Sequence, residues 1–516
     1  MTAFTPRASA SMASVAAAAM ALALATPAAA GTIKSFTAGD LVVAVEGDGA
    51  GTAAAGASAT GNTGTNSTTY LDNQAAPLTL YEFGTSGFQS SPVGTLELPQ
   101  TSSGLNSAVS GEYGSSSEAT LQLTGNGEYL TIAGYAVNAG AYNTASDANG
   151  AGTALAQSCS LSNAASCTGA PQIARVIAEI GDTGKVNSST VLYNVFNENN
   201  PRSVYSETGS SFYISGQGLK GDNTGGVFYV PSIGSGTTVS ITGNDAGTNE
   251  SQDTREVQVY NNTLYVSTDS KSGATNRDYI GTLGSPGTPP TTVANGGNGP
   301  AMLPGFGNSG GTGKVTITAQ TTNGVNAPGD QINLSPENYF FANADTLYVA
   351  DSGDPKNTSA TSALGDGGLQ KWTYSGGDWT LDYTLAAGLD LVPNTASCAS
   401  DTSQTPCSTG LYGLTGELID GGTEVELFAT NFTLGDLNST YLYGIMDELT
   451  NTTDPNLSSI TESFTELAAA PPDSNFKGVA FAPQGTPSVP EPSSLATLGV
   501  ALIGIATLRR HRRTPA

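Results

Sequence analysis

Short runs of Val, Ile, Leu, Tyr and Phe, five to eight residues long and closed off by Gly, Asn, Asp or Ser, recur along nearly the whole chain. No stretch between its ends sustains the 3.6-residue apolar period of a packed helix. β-Branched and aromatic side chains lose rotamer freedom on a helix but fit the pleated surface of a sheet. The body is therefore expected to be all-β.

The runs fall into groups of four. The first reads "ATLQLTG", "EYLTIAGYA", "ARVIAEIG", "STVLYNVF"; the second "PRSVYSETG", "SSFYISGQG", "GGVFYVPSIG", "TTVSITG"; the third "TREVQVYNN", "TLYVSTDS", "RDYIGTLG", "KVTITAQ". The fourth is "PENYFFANAD", "TLYVADSG", "GLQKWTYSG", "WTLDYTL" and the fifth "LYGLTGELIDGG", "EVELFATNF", "STYLYGIMDEL", "ITESFTEL". Second strands match best, as in Phe212-Tyr213-Ile214-Ser215, Leu264-Tyr265-Val266-Ser267 and Leu347-Tyr348-Val349-Ala350.

Four-strand repeats of this kind predict β-propeller blades, which leave few exposed edges. "LVVAVEG", "LTLYEF" and "GTLELP" near the start lack a first strand, and "FKGVAFAP" near the end lacks successors. Joined, they complete a blade with Phe476 to Pro483 innermost, so pairing of N- and C-terminal strands closes the ring. The expected count is about six four-stranded blades, with seven the alternative because long loops can hide strands. A β-sandwich pair and a β-helix are the other architectures. Two low-complexity stretches, Gly47 to Asn73 and about Gly284 to Gly313, are expected to be mobile loops.

Four cysteines form two close pairs, Cys159 with Cys167 and Cys398 with Cys407, and sequential pairing is expected of the three possible connectivities. Zinc is disfavoured, since no histidine and no C-x-x-C accompanies them. Of the 17 Lys and Arg, five (Arg7, Arg509, Arg510, Arg512, Arg513) lie in the end segments, leaving twelve in the body against 42 acids. Such a surface repels phosphate, so nucleic acid is not an expected partner.

The N-terminus has a basic start, a small-residue apolar stretch and Ala28-Ala29-Ala30, a secretory leader over 1–30 that implies passage through the Sec translocation machinery. Residues 31–483 form the body and 484–489 a linker. The chain then closes with Pro490-Glu491-Pro492, an apolar run from Leu495 to Leu508, and Arg509, Arg510, Arg512 and Arg513. Fourteen residues as a helix span about 21 Å, short of the roughly 30 Å hydrocarbon core. Arginines beside an apolar segment stay on the cytoplasmic side.

Residues 490–516 resemble the PEP-CTERM sorting signal of Gram-negative bacteria. The resemblance implies an exosortase-type membrane protease as processing partner, transient inner-membrane association through the C-terminal helix, and a host that makes extracellular polysaccharide. The expected location is the cell surface or the exterior. The body also looks similar to secreted propeller-like proteins without an assigned activity, in phrases such as "NENNPRSVYSETGSSFYISGQGLKGDNTGGVFYV".

The lone histidine, His511, lies in the tail, so the body has no Ser-His-Asp triad, histidine metal cluster or imidazole base. Enzymatic chemistry would rest on carboxylates, with Glu198, Glu207, Glu256, Glu337, Glu417 and Glu448 as candidates, or on Tyr and Lys acting on acidic sugars. No catalytic or cofactor-binding residue is assigned. A weak calcium site is Asp351, Asp354 and Asp366, whose spacing is not that of an EF-hand. Trp372 and Trp379 are expected to pack between blades rather than stack on sugar.

The sequence thus predicts an exported, non-enzymatic binding or matrix component associated with extracellular polysaccharide. The alternatives are a carboxylate-dependent hydrolase or lyase of that polysaccharide and a purely structural surface protein. A binding module is expected to tolerate Glu→Gln changes and to lose affinity when exposed aromatics become Ala.

Overall fold

A computed structural model describes residues 31–47, 73–144, 153–243, 253–269, 278–307, 314–316, 331–353, 367–393, 407–435, 438–455, 462–472 and 474–485. The leader, Asp354, Asp366, Cys398 and the sorting tail lie outside them. Nine strands come first: β1 (Gly31–Thr32), β2 (Leu41–Gly47), β3 (Ala75–Phe83), β4 (Gly94–Glu97), β5 (Ser110–Glu112), β6 (Gln122–Leu123), β7 (Tyr129–Tyr135), β8 (Arg175–Gly181) and β9 (Val186–Leu192). A short helix, α1 (Ala139–Thr144), follows β7.

Four antiparallel four-stranded sheets succeed them. They are β10 (Pro201–Tyr205), β11 (Phe212–Gly216), β12 (Gly226–Val230) and β13 (Val239–Ser240); then β14 (Thr254–Tyr260), β15 (Thr263–Thr268), β16 (Tyr279–Leu283) and β17 (Ala301–Met302). After a two-stranded ladder of β18 (Lys314–Thr316) and β19 (Gln331–Asn333) come β20 (Pro336–Asn343), β21 (Thr346–Asp351), β22 (Gly368–Ser375) and β23 (Asp378–Leu385). The last four are β24 (Ser408–Ile419), β25 (Glu424–Thr433), β26 (Tyr441–Glu448) and β27 (Thr465–Ala469), before the final strand β28 (Ser474–Phe481).

The four sheets stand in a propeller-like ring, each a meander whose first strand packs on the first strand of its neighbour: β10 on β14, β14 on β20, β20 on β24. β24 then packs on β28, β28 on β6, and β6 on β10. The ends of the body meet as expected. β28 pairs antiparallel with β2 (Val43 opposite Val479, Glu46 opposite Asn475), β2 with β3, and β3 with β4. The start of β3 also pairs with β5, and β5 touches β7 at Ser110 and Tyr135. These links fuse β1 to β9 and β28 into one ten-stranded sheet.

Apolar cores fill the spaces between neighbouring sheets and the fold within the ten-stranded one, which explains why the inner strands are apolar on both faces. In β2, Leu41, Val43 and Val45 face Phe428, Leu442 and Leu467 of the last four-stranded sheet. Val42 and Ala44 face Leu130, Ile132 and Val176 instead. Period-2 alternation thus serves two cores at once. Each Val, Leu, Ile or Phe side chain among them contributes about 1.5–3 kcal/mol when fully buried.

Two expectations are corrected. "KVTITAQ" is not the fourth strand of its group: β17 holds that edge, and β18 pairs with β19. Two residues suffice at a blade edge, so little strand pattern marks β17, whereas Val315 and Ile332 bury themselves beside Trp372. Nor is 284–307 a loose loop. Phe306 stacks on Trp372 with ring centroids 4.0 Å apart, and Trp379 N–H donates to the Pro304 carbonyl at 2.9 Å. Those apolar anchors offset the ordering entropy that the Gly and Pro composition suggested would win. Between Gly47 and Asn73, the other expected loop lies outside the described residues.

Cys159 and Cys167 form a disulfide, and Cys407 is disulfide-bonded as well. Both tryptophans pack, as expected: Trp372 is fully buried and Trp379 meets Phe306 and Phe341 edge-on.

Candidate functional site

A cleft of about 370 Å³ opens at the mouth of the ring where β10 and β14 begin. Its lining is almost wholly polar, with five amide side chains (Asn73, Gln157, Asn199, Asn200, Gln217), three serines, four acids (Glu112, Glu198, Asp253, Asp269) and two arginines. Among the described residues, no aromatic side chain lines it.

The body contains four arginines, and three of them build this mouth. Arg202, at the second position of β10, bonds Asp253 and donates to Gln217 Oε1 at 3.1 Å and the Thr254 carbonyl at 3.2 Å. Arg255, at the second position of β14, donates to Asp269 Oδ2 at 2.8 Å and Glu337 Oε2 at 2.7 Å, and its Nε lies 3.8 Å from Asp253. Burial pulls the Arg255 guanidinium down, but Glu337, Asp269 and Asp253 outweigh it and hold the group charged. Burial raises the Glu337 carboxyl against the opposing pull of Arg255.

Arg175 acts from below. It is fully buried, with its guanidinium 4.6 Å from the centroid of the Tyr135 ring, and donates to the carbonyls of Ala156, Ser158, Ile173, Phe196 and Asn199. Those bonds tie the Cys159–Cys167 loop to the turn 194–200. Asn194, Phe196 and Glu198 in that turn all have left-handed backbone, with φ of 59°, 51° and 52°. For a bulky residue such as Phe196 this costs about 1–2 kcal/mol. It is offset by bonds such as Asn194 N–H to the Ser160 carbonyl at 2.7 Å and Glu198 N–H to the Ser158 carbonyl at 3.2 Å. The turn carries Glu198, Asn199 and Asn200 into the cleft wall.

Deeper in, the ring closure is itself charged. Lys477 of β28 bonds the Ser115 carbonyl and lies 3.5 Å from Glu46 of β2. Burial pushes the Glu46 carboxyl up to about 8 despite Lys477. Glu118, likewise raised by burial, accepts from Tyr135 and Asn200.

The candidate acids scatter. Glu198 lines the cleft, and Glu337 sits behind it on Arg255. Glu256 is buried, accepts the Tyr339 N–H at 3.0 Å, and is raised well above the carboxylate range by burial. Glu207 accepts from the Tyr205 hydroxyl at the far end of β10, and Glu417 and Glu448 are exposed in the last four-stranded sheet. Asp351 is fully buried and its carboxylate accepts from the N–H groups of Ser335 and Gly353 and from Gln370, each at 2.9 Å. Among the described residues no group of three or more His, Cys, Asp or Glu is placed to hold a metal ion.

Sequence reasoning missed Arg175, Arg202 and Arg255. A signal existed for two of them: "PRSV" and "TREV" put arginine at the second position of successive first strands, in a body with only four.

No curated protein matches the chain. The solved structure of a hypothetical selenium-binding protein from Sulfolobus tokodaii is similar over 87 % of this chain and 95 % of its own, at 9 % identity and a TM-score of 0.33. Among the described residues no helix is long and apolar enough to cross a membrane, and Leu495 to Leu508 lie outside them. Residues 488–513 match the PEP-CTERM protein-sorting motif, which implies an exported protein whose C-terminus is processed by exosortase.

Proposed function

We propose that this is an exported six-bladed propeller that binds extracellular polysaccharide, without catalysis, in the cleft at the β10–β14 mouth. The count treats β28, β2, β3 and β4 as one blade and β6 to β9 as another, and the contacts of β6 with both β28 and β10 support it.

The observation that carries the binding reading is the amide-rich lining. Asn and Gln offer donor and acceptor together, which is what paired sugar hydroxyls require. The arginines are already matched to Asp253, Asp269 and Glu337, so the cleft is no simple anion trap. With no ring among the described lining residues, affinity in this cleft would rest on hydrogen bonds rather than on exposed aromatics.

The test is retention of the secreted protein on polysaccharide from its own host. Asn200→Ala with Gln217→Ala should weaken retention at least about tenfold, equivalent to roughly 1.4 kcal/mol. Unchanged retention would remove the cleft from the account. The hydrolase reading draws on the four acids lining the cleft. It predicts new reducing ends on incubation with the same polysaccharide, and the binding reading predicts none.

A further inference from the structure

The ring has two mouths, and the chain's own direction distinguishes them. β10, β14, β20, β24 and β28 run in the same sense. Their beginnings cluster: Asn200 bonds Ser115 at 3.0 Å, Lys477 bonds Ser115, Arg255 bonds Glu337, and Thr409 donates to the Ser352 carbonyl at 2.9 Å. The cleft lies there, between Ser115 to Ser117, Arg202 and Arg255.

The ends of β10 and β28 meet the 125–127 turn at the opposite mouth. Gly125 N–H donates to the Ser206 carbonyl at 3.0 Å, Asn126 N–H to Glu207 at 2.9 Å, and Gln484 N–H to Gly127 at 2.8 Å. Gln484 follows β28, and the described residues end one position on, at Gly485.

We infer that this protein is a two-faced surface module. The described chain ends at Gly485, on the mouth opposite the cleft, so a tail held in a membrane from that point turns the 125–128 face toward the bilayer and its embedded protease, and the cleft away from both. Ligand binding and tail processing then proceed without obstructing each other.

The lengths support this. From Gln484 to Pro490 are six residues, which reach at most about 20 Å even when fully extended. β28 has eight residues, a rise of about 26 Å, and separates the two mouths. Six residues fall short of that rise, so the motif does not reach the cleft mouth.

The inference rests on the reading that the tail is membrane-held. Its test uses the full precursor with Pro490→Ala and Glu491→Ala to block processing, in vesicles of phosphatidylethanolamine and phosphatidylglycerol carrying a headgroup energy acceptor. A donor dye is placed at Glu128→Cys or at Ser116→Cys. Transfer from position 128 is expected to exceed that from 116 several-fold. A parallel pair with an epitope inserted in the same two turns, read by antibody on intact vesicles, guards against mispaired cysteines: the tag at 116 should be reached and that at 128 shielded. Equal or reversed signals on protein that floats with the vesicles overturn the inference and leave the tail reading standing. Protein that does not float with them overturns both.

Discussion

Lys371 and Asp447 offer the sharpest energetic test of how neighbouring sheets are held. Both side chains are fully buried, one on β22 and the other on β26 of the next sheet. Lys371 Nζ donates to Asp447 Oδ2 at 2.8 Å, the Tyr383 hydroxyl at 3.0 Å and the Glu448 carbonyl at 2.7 Å. Asp447 also accepts from the hydroxyls of Tyr348 and Tyr383. Burial and then the Asp447 charge push both phenols up, so they remain donors. Lys371→Met leaves a buried carboxylate without its counter-charge, which costs about 3–5 kcal/mol. Asp447→Leu strands the ammonium at a similar cost. If the two sites were independent, the double variant would lose about 6–10 kcal/mol. The paired account predicts a double variant no worse than either single one, because the isolated charge is gone. The assay is urea unfolding followed by the fluorescence of Trp372 and Trp379, the chain's two tryptophans. Single losses under about 1 kcal/mol, or a double loss near the sum, would refute the reasoning.

Three further outcomes are expected. Arg255→Lys keeps the charge but loses the fork that meets Asp269 and Glu337 together, and should cost about 1–3 kcal/mol in the same unfolding assay. Glu46, Glu179 and Asp382 are raised mainly by burial, to about 8, 7 and 6. The folded state therefore holds protons the unfolded chain releases near 4, and stability falls as pH rises from about 4 to 8, so the urea midpoint should be higher at pH 5 than at pH 9. Glu46→Gln should flatten the upper part of that decline, and an unchanged profile would exclude Glu46 as its source. Removing the Cys159–Cys167 bond by double serine substitution should loosen the loop by about 2–3 kcal/mol, read as faster proteolysis of 153–173, with the distant β24–β27 sheet unaffected.

The ring was legible where each strand is a run with its own core face. "LVVAVEG" and "FKGVAFAP" announced their pairing because each lacked the partner strands that a blade requires. β17 was not legible, since an edge strand needs only two ladder pairs and buries little. The site was harder still. Its arginines are commonplace within "PRSV" and "TREV", and their convergence appears only when the ring brings residues 115, 202, 255 and 337 to one mouth. Left-handed backbone at Phe196 and Glu198 has no sequence signature, because neither is a residue that favours it.

The claim on which the rest depends is that β28 and β2 join the two ends of the body. Amide hydrogen exchange of the secreted protein measures it directly. The paired amides of Val42 to Glu46 and Asn475 to Ala480 should exchange as slowly as those in the middle of β25. Rapid exchange in either strand, like that of a frayed terminus, would contradict the closed ring.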